Sequence, residues 1–320
     1  MKNDFDRVAA LGHLQKMQAN FDRQHGFDFL AGNGTSDLNR VAFSSLALCG
    51  EVGELANQIK KAQRASWSGE DTTQHIAQAK LEVGGILAYL LKLSSDLELR
   101  LDETYLTTLS DNWLRFKIPD PGAAGRVLCI AGPSGSGKSS IVRHLADFGA
   151  STYVEDVAGN PFLIGLYGNS HSFDAHASQQ WFLEQIESFV ERSAGGSTLI
   201  LDQDPAAVVR VYARLLREDR RMSDDAYVSL LMMLLRLESR LGIRQQRVTV
   251  FLDADERTLR QRMVERGDPA APTEVWLQRV RAAFAELKQS SPNSRLVSTE
   301  GREAGAVAAE IATLLGLVSR

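Results

Sequence analysis

Residues 129–140 read CIAGPSGSGKSS. Gly132 is followed, after four intervening residues, by Gly137, Lys138 and Ser139. That spacing lets glycines turn backbone N–H groups inward around phosphate oxygens. A helix starting there adds partial positive charge. Lys138 would reach the β- and γ-phosphates of a nucleoside triphosphate, and the Ser139 hydroxyl would ligate Mg²⁺. The binding loop then comprises Gly132, Pro133, Ser134, Gly135, Ser136, Gly137, Lys138, Ser139 and Ser140. The bland alternative is a glycine-rich turn with a chance lysine. The buried-strand pattern before it, RVLCIAG, and the helical pattern after it argue against that.

A second group of residues could do different chemistry. EVGELA places Glu51 and Glu54 three apart, and EVGGILAYLL places Glu82 and Gly85 three apart. Positions i and i+3 share a helix face. Two antiparallel helices with facing carboxylates make a cage of hard oxygen ligands, suited to Mg²⁺. Here the cage has three carboxylates, Glu51, Glu54 and Glu82, with Gly85 at the fourth place. The alternative is that these glutamates lie on solvated faces of ordinary amphipathic helices.

The elements that must position both groups follow from periodicity. Up to about residue 116 apolar residues recur at helical spacing, and RASWSGEDTTQ between the two long helices reads as a loop. A last helix opens near Asp102 and Glu103 and ends near NWLRF. KIPDPGAAG, with two prolines and two glycines, reads as a linker. Beyond it, strands RVLCIAG, STYVED, STLILDQD, RVTVFLDAD and SRLVSTEG alternate with helices over 139–146, 175–191, 224–241, 256–265 and 274–288. Alternation of this kind predicts a parallel sheet covered on both faces. The fold expected is thus two domains: an all-α helical bundle over 1–117, a linker over 118–125, and a three-layer α/β domain over 126–320.

The 320 residues carry a formal net charge of −4, which argues against nucleic-acid binding driven by bulk charge. Cys49 and Cys129 sit in apolar runs and read as buried thiols of a reduced compartment. The N-terminus lacks the apolar core of a signal peptide, and no apolar run reaches membrane-spanning length. A soluble, cytoplasmic protein is expected, with no membrane partner.

From the phosphate loop onward the chain resembles the deoxyribonucleoside kinase family. The resemblance implies ATP as donor with Mg²⁺, and a nucleoside or nucleotide as substrate. In that family a glutamate ending the second strand is the general base on the nucleoside 5′-hydroxyl, and Glu155 of STYVED holds that place. NPFLIGLY matches the NPF/NPY segment and nearby tyrosine, giving Asn160, Pro161, Phe162 and Tyr167. Gln179 matches the base-reading glutamine, and Arg262 and Arg266 of LRQRMVERGD match the lid arginines over the transferring phosphate. After the third strand the family has an acidic residue, arginine and serine. This chain has Asp202, Gln203 and Asp204. Asp202 keeps a carboxylate able to hold Mg²⁺ through water. Gln203 removes a cation, so either Arg210 or Arg214 substitutes or the substrate differs. Thymidylate kinases, the neighbouring family, also place an arginine there.

The helical part resembles the MazG-like all-α nucleotide pyrophosphohydrolases, which carry E-x-x-E and E-x-x-D on successive helices. NWLRF, with Asn112 and Arg115, matches their downstream motif. That resemblance covers roughly 40–117 and implies Mg²⁺-dependent cleavage of nucleoside triphosphates by dimers or larger assemblies. Gly85 stands where the family has aspartate, so weak or absent hydrolysis is expected, with this domain serving for homo-oligomer formation. Four readings stay open: a nucleoside or nucleotide kinase with a degenerate helical domain, a bifunctional kinase and pyrophosphohydrolase, a non-catalytic nucleotide-binding regulatory or assembly protein, and a kinase of another small alcohol.

Overall fold

The computed structural model describes residues 2–28, 37–115, 125–163, 174–193, 198–242, 246–267, 273–291 and 293–317. The chain divides into two compact units, Met1–Tyr105 and Leu106–Arg320. The glycine- and proline-rich segment expected to link them lies outside the described residues apart from Gly125.

The first unit is helical: α1 (Lys2–Gln24), α2 (Asp37–Trp67) and α3 (Thr73–Asp96), with α4 (Leu101–Arg115) crossing the division. Helices α2 and α3 are the most extensively packed pair. They run antiparallel: Arg40 and Ser44 of α2 bond Asp96 at the far end of α3, while Gln58 meets His75 near its start. The connection is shorter than the sequence pattern implied. RASW continues α2, because Ala62 and Ala65 are buried and keep the helical register, so only five residues, 68–72, lie between the helices. Several apolar side chains on this hairpin stay exposed, among them Leu38, Leu46, Trp67 and Leu81. Cys49 is exposed as well, a correction to the buried thiol expected; it lies on the outer side of α2, and only Cys129 is buried.

The second unit is a five-stranded parallel sheet in the order β2-β3-β1-β4-β5. The strands are β1 (Arg126–Ala131), β2 (Ser151–Tyr153), β3 (Leu199–Asp202), β4 (Gln246–Asp253) and β5 (Ser294–Ser298). They fall where the five sequence patterns predict them. Between them lie α5 (Lys138–Leu145), α6 (Ala175–Arg192), α7 (Pro205–Ala207), a π-helical stretch (Val208–Ala213), α8 (Arg214–Glu218), α9 (Asp224–Gly242), α10 (Glu256–Glu265), α11 (Glu274–Gln289) and α12 (Ala304–Leu314). On one face of the sheet Leu128, Ile130, Ile200, Val250 and Leu252 pack with Ile141, Val142 and Leu145 of α5 and Val307 and Ile311 of α12. Helices α6 and α9 pack together, and α9 also contacts β4. Strand order reverses on either side of β1, so the crevice outside its carboxyl end is where such a sheet binds ligands. Among the described residues no helix is long and apolar enough to cross a membrane.

Candidate active site

The loop after β1 is shaped by three glycines at positive φ. Gly132 (φ 153°) and Gly135 (φ 82°) each approach a backbone carbonyl: a Cβ there would lie 2.5 Å from the carbonyl oxygen of Leu252 or Leu259. Only glycine fits either place. Gly137 (φ 90°) starts α5, whose N-terminus has no side-chain cap. Its first N–H groups are therefore open to an anion. Pro133 and Ser136 are buried, Ser134 and Ser139 half-buried and Ser140 exposed.

Lys138 is the first residue of α5 and is buried. Its ammonium donates to the carbonyls of Gly132 (2.9 Å) and Pro133 (3.1 Å). Burial lowers its pKa, and the carboxylates of Asp202 and Glu155 partly offset that. Asp202 ends β3 with no exposed surface. One of its oxygens accepts from the Glu155 backbone N–H at 3.3 Å. Its other oxygen is buried with no hydrogen-bond partner among the described residues, as is the Ser136 hydroxyl. Burial pushes the Glu155 carboxyl up to about 8, Asp202 adds to the rise, and Lys138 offsets part of it. Tyr153, two residues before, has its phenol raised by burial first and by Glu155 and Asp202 next. The structure thus brings Lys138, Glu155 and Asp202 together at the mouth of the loop.

Arg262 and Arg266 line, with Gly135, Ser136, Gly137, Ser140 and Thr299, an open cavity of ≈ 330 Å³ beside the loop. The two arginines do different things. Arg262 donates to the carbonyl and hydroxyl of Thr299 (2.7 and 3.0 Å) and to the Gly135 carbonyl (3.3 Å). It ties the phosphate loop to the end of β5. Arg266 is exposed at the end of α10, and its charge reaches Lys138.

Asn160 is buried and donates to the Ser178 carbonyl and hydroxyl (3.1 and 3.3 Å), while accepting from Phe162 N–H (3.0 Å). This pins the segment of Asn160, Pro161 and Phe162 to the start of α6, next to Gln179. Gln179 is buried, with no hydrogen-bond partner for its side chain among the described residues. Tyr167 lies outside the described residues.

Arg210 and Arg214, the candidates to replace the missing arginine, are held by other groups. Arg210 donates to Asp111 (2.6 Å) and the Thr107 carbonyl, and Arg214 to Glu286 (2.7 Å). Gln203 is buried at φ 114°, its side-chain oxygen turned back to accept from Asp204 N–H.

In the helical unit the three carboxylates part company. Glu82 is buried and accepts from Gln78 (2.7 Å), Glu54 is exposed, and Glu51 folds over Gly85. A Cβ at Gly85 would stand 2.1 Å from a Glu51 oxygen. Among the described residues no group of three or more His, Cys, Asp or Glu side chains is placed to hold a metal ion. Asn112 is exposed, and the Arg115 side chain lies outside the described set.

Sequence reasoning missed a buried network beneath the site. Asp204 accepts from Arg247 (2.5 Å), Thr249 (2.7 Å) and Ala206 N–H (2.9 Å). Arg247 also lies 3.9 Å from Glu238, which accepts from the Ser110 hydroxyl at 2.5 Å. Burial raises the Glu238 carboxyl, and Arg247 opposes the rise. An arginine opening a strand offers no local signal of such burial.

A glycine-rich loop with open N–H groups, a half-buried glutamate and a buried aspartate form the site. Residues 128–282 match the Deoxynucleoside kinase family model. Similar solved folds include deoxyadenosine kinase from M. mycoides with dCMP and dCDP bound (14% identity, TM-score 0.49, covering 60% of this chain and 100% of that chain). Thymidylate kinase from Ehrlichia chaffeensis is another (14% identity, TM-score 0.39, 60% and 99%). A third is a gluconokinase from Sinorhizobium meliloti 1021 (21% identity, TM-score 0.35, 63% and 100%). No curated protein matches the chain. The deoxynucleoside kinase match covers the glycine-rich loop, Glu155, Gln179, Asp202, Arg262 and Arg266, and stops before β5.

Proposed function

We propose that the chain transfers the γ-phosphoryl group of ATP to the 5′-hydroxyl of a deoxynucleoside or nucleoside. The observation that carries this reading is the place of Glu155, half-buried, its backbone bonded to Asp202 and its carboxyl raised by burial and by Asp202 beside Lys138. An alcohol acceptor needs a base, and a carboxylate with a raised pKa is matched to that task near neutral pH. A monophosphate acceptor is already anionic and gains nothing from a glutamate at the reacting oxygen.

The residues fit the groups the reaction requires. The glycine cradle and the uncapped start of α5 suit phosphates, with Lys138 neutralising the β- and γ-oxygens. The orphan oxygen of Asp202 and the Ser139 hydroxyl suit Mg²⁺, which when bound neutralises charge on the transferring phosphoryl group. Glu155 takes the acceptor proton, Arg266 faces the γ-phosphate, and Gln179 reads the base. Arg262 holds the loop in shape through Thr299.

Purified protein with Mg²⁺ and γ-labelled ATP, offered a panel of nucleosides and monophosphates, tests this. Labelled nucleoside monophosphate is the expected product. Label only in diphosphates moves the acceptor to a monophosphate, and no transfer with ATP still bound overturns the kinase reading.

One observation favours a second reading. Gln203 is uncharged, and Arg210 and Arg214 are engaged by Asp111 and Glu286. Such a site is short of a cation and would suit nucleotide binding for regulation or assembly. The helical unit is read as a MazG-like domain weakened in hydrolysis by Gly85, and a second copy of the chain is the occupant proposed for its exposed apolar side chains.

A further inference from the structure

Asp202 is followed by backbone in a costly conformation. Gln203, at φ 114°, carries a Cβ in a region that glycine alone enters freely. Strain of this kind persists only where the surroundings over-determine it. Two bonds hold Gln203 itself: its N–H donates to the Ile130 carbonyl (3.0 Å), and its side chain accepts from Asp204 N–H (3.3 Å). The stronger restraint lies one residue on. The Asp204 carboxylate is buried and receives Arg247, Thr249 and the Ala206 N–H. Arg247 and Thr249 alternate along β4 with Val248 and Val250, which pack on the opposite face of the sheet. The central strands therefore grip both ends of the turn: β1 through Ile130, β4 through Asp204.

Stability alone does not account for three ionisable groups here. Apolar residues of similar volume commonly replace buried ion pairs with no loss or with a gain. What an apolar trio cannot do is fix direction, because dispersion contacts tolerate sliding and a carboxylate bonded on both oxygens does not.

We propose that Asp204, with Arg247 and Thr249, is a positioning residue: it holds the strained turn that aims the orphan oxygen of Asp202 at a divalent cation. Glu238 and Ser110 back Arg247 from behind. The proposal rests on the kinase reading for the presence of that cation, not for the geometry. Partners outside the direct ligands of a metal site typically cost ~10–100-fold in metal affinity when removed.

The test measures Mn²⁺ binding, by electron paramagnetic resonance, to the full chain with a non-hydrolysable ATP analogue. Thermal midpoints and phosphoryl transfer are measured in parallel. The triple variant Asp204→Asn, Glu238→Gln, Arg247→Met removes all three charges at similar volume, and Asn keeps the cap on Ala206. It should hold a thermal midpoint near the parent's while its half-saturating Mn²⁺ rises ~10-fold or more. Thr249→Val, nearly isosteric, should move half-saturation the same way by a smaller factor. A stable triple variant with the parent's Mn²⁺ affinity overturns the proposal. If the triple variant does not fold, Thr249→Val decides, and unchanged half-saturation there overturns it. A parent that binds Mn²⁺ but transfers no phosphoryl group sinks the kinase reading and leaves the positioning test standing. A parent that binds no Mn²⁺ with the analogue overturns both.

Discussion

Carboxylates meet opposite fates in the two halves of this chain. Beside the phosphate loop, Glu155, two residues past β2, and Asp202, at the end of β3, converge on one lysine. On the helical hairpin, Glu51, Glu54 and Glu82 have ideal spacing along their helices and do not converge. Helical spacing fixes only a shared face. Convergence needs a counter-charge or a framework that forbids retreat. The sheet supplies both through Lys138 and the grip on the turn at Gln203, whereas Gly85 leaves room into which Glu51 falls.

The sharpest break in that contrast is Lys138→Met. It should lower phosphoryl transfer ~10³-fold, the cost of losing a preorganised charge at the reacting group. A loss under tenfold would mean the lysine is not at the phosphates.

Next in size, Glu155→Gln should lower transfer by ~10²–10⁴-fold. The parent's kcat/KM should climb with pH, reach half its plateau at about 8 and level off above that, as Glu155 loses its proton. The stability sign follows from linkage. A carboxyl raised from 4.5 to about 8 holds more protons folded than unfolded between those values, so stability falls as pH rises through that window. Glu155→Gln should flatten this dependence in thermal melts from pH 5 to 9. A pH slope that survives the substitution assigns the titration to another group.

A smaller effect is expected at Gly85→Asp. The new side chain must push the flexible Glu51 end aside, so the melting temperature should move little without metal and rise when Mg²⁺ is added. No Mg²⁺ response would overturn the reading of these helices as a metal site short of one carboxylate. Smallest for catalysis is Leu46→Lys together with Trp67→Lys. It should reduce the mass seen by light scattering while leaving transfer within twofold (roughly ±0.5 kcal/mol for surface changes).

Much of the kinase-like unit was legible because its signals are local. The loop spacing, the five apolar runs and the alternation of strands with helices each sit within a few residues of chain. Asp202 was legible as a strand-end carboxylate, and Glu155 was expected at the end of a strand that stops two residues earlier, at Tyr153. What escaped depends on distance in sequence. Arg210 and Arg214 looked available until Asp111 and Glu286 were found beside them. The network of Asp204, Glu238 and Arg247 joins three elements and has no signature in any of them. Helix α12 and the π-helical stretch were also unread: ATLLG-like runs suit helix or strand alike, and a six-residue π turn differs from an α turn by one bond. Cys49 was misread because an apolar run on an amphipathic helix need not face inward.

Helix α4 bears on how the molecule could be taken apart. The proline- and glycine-rich segment after it is where one would cut to free the kinase-like half. A fragment starting there would lack Ser110 and Asp111. Glu238 would lose the hydroxyl bonded to its buried carboxylate, and Arg210 its short ion pair. The natural place to divide the polypeptide is just before Leu106, so that Ser110 and Asp111 travel with the sheet.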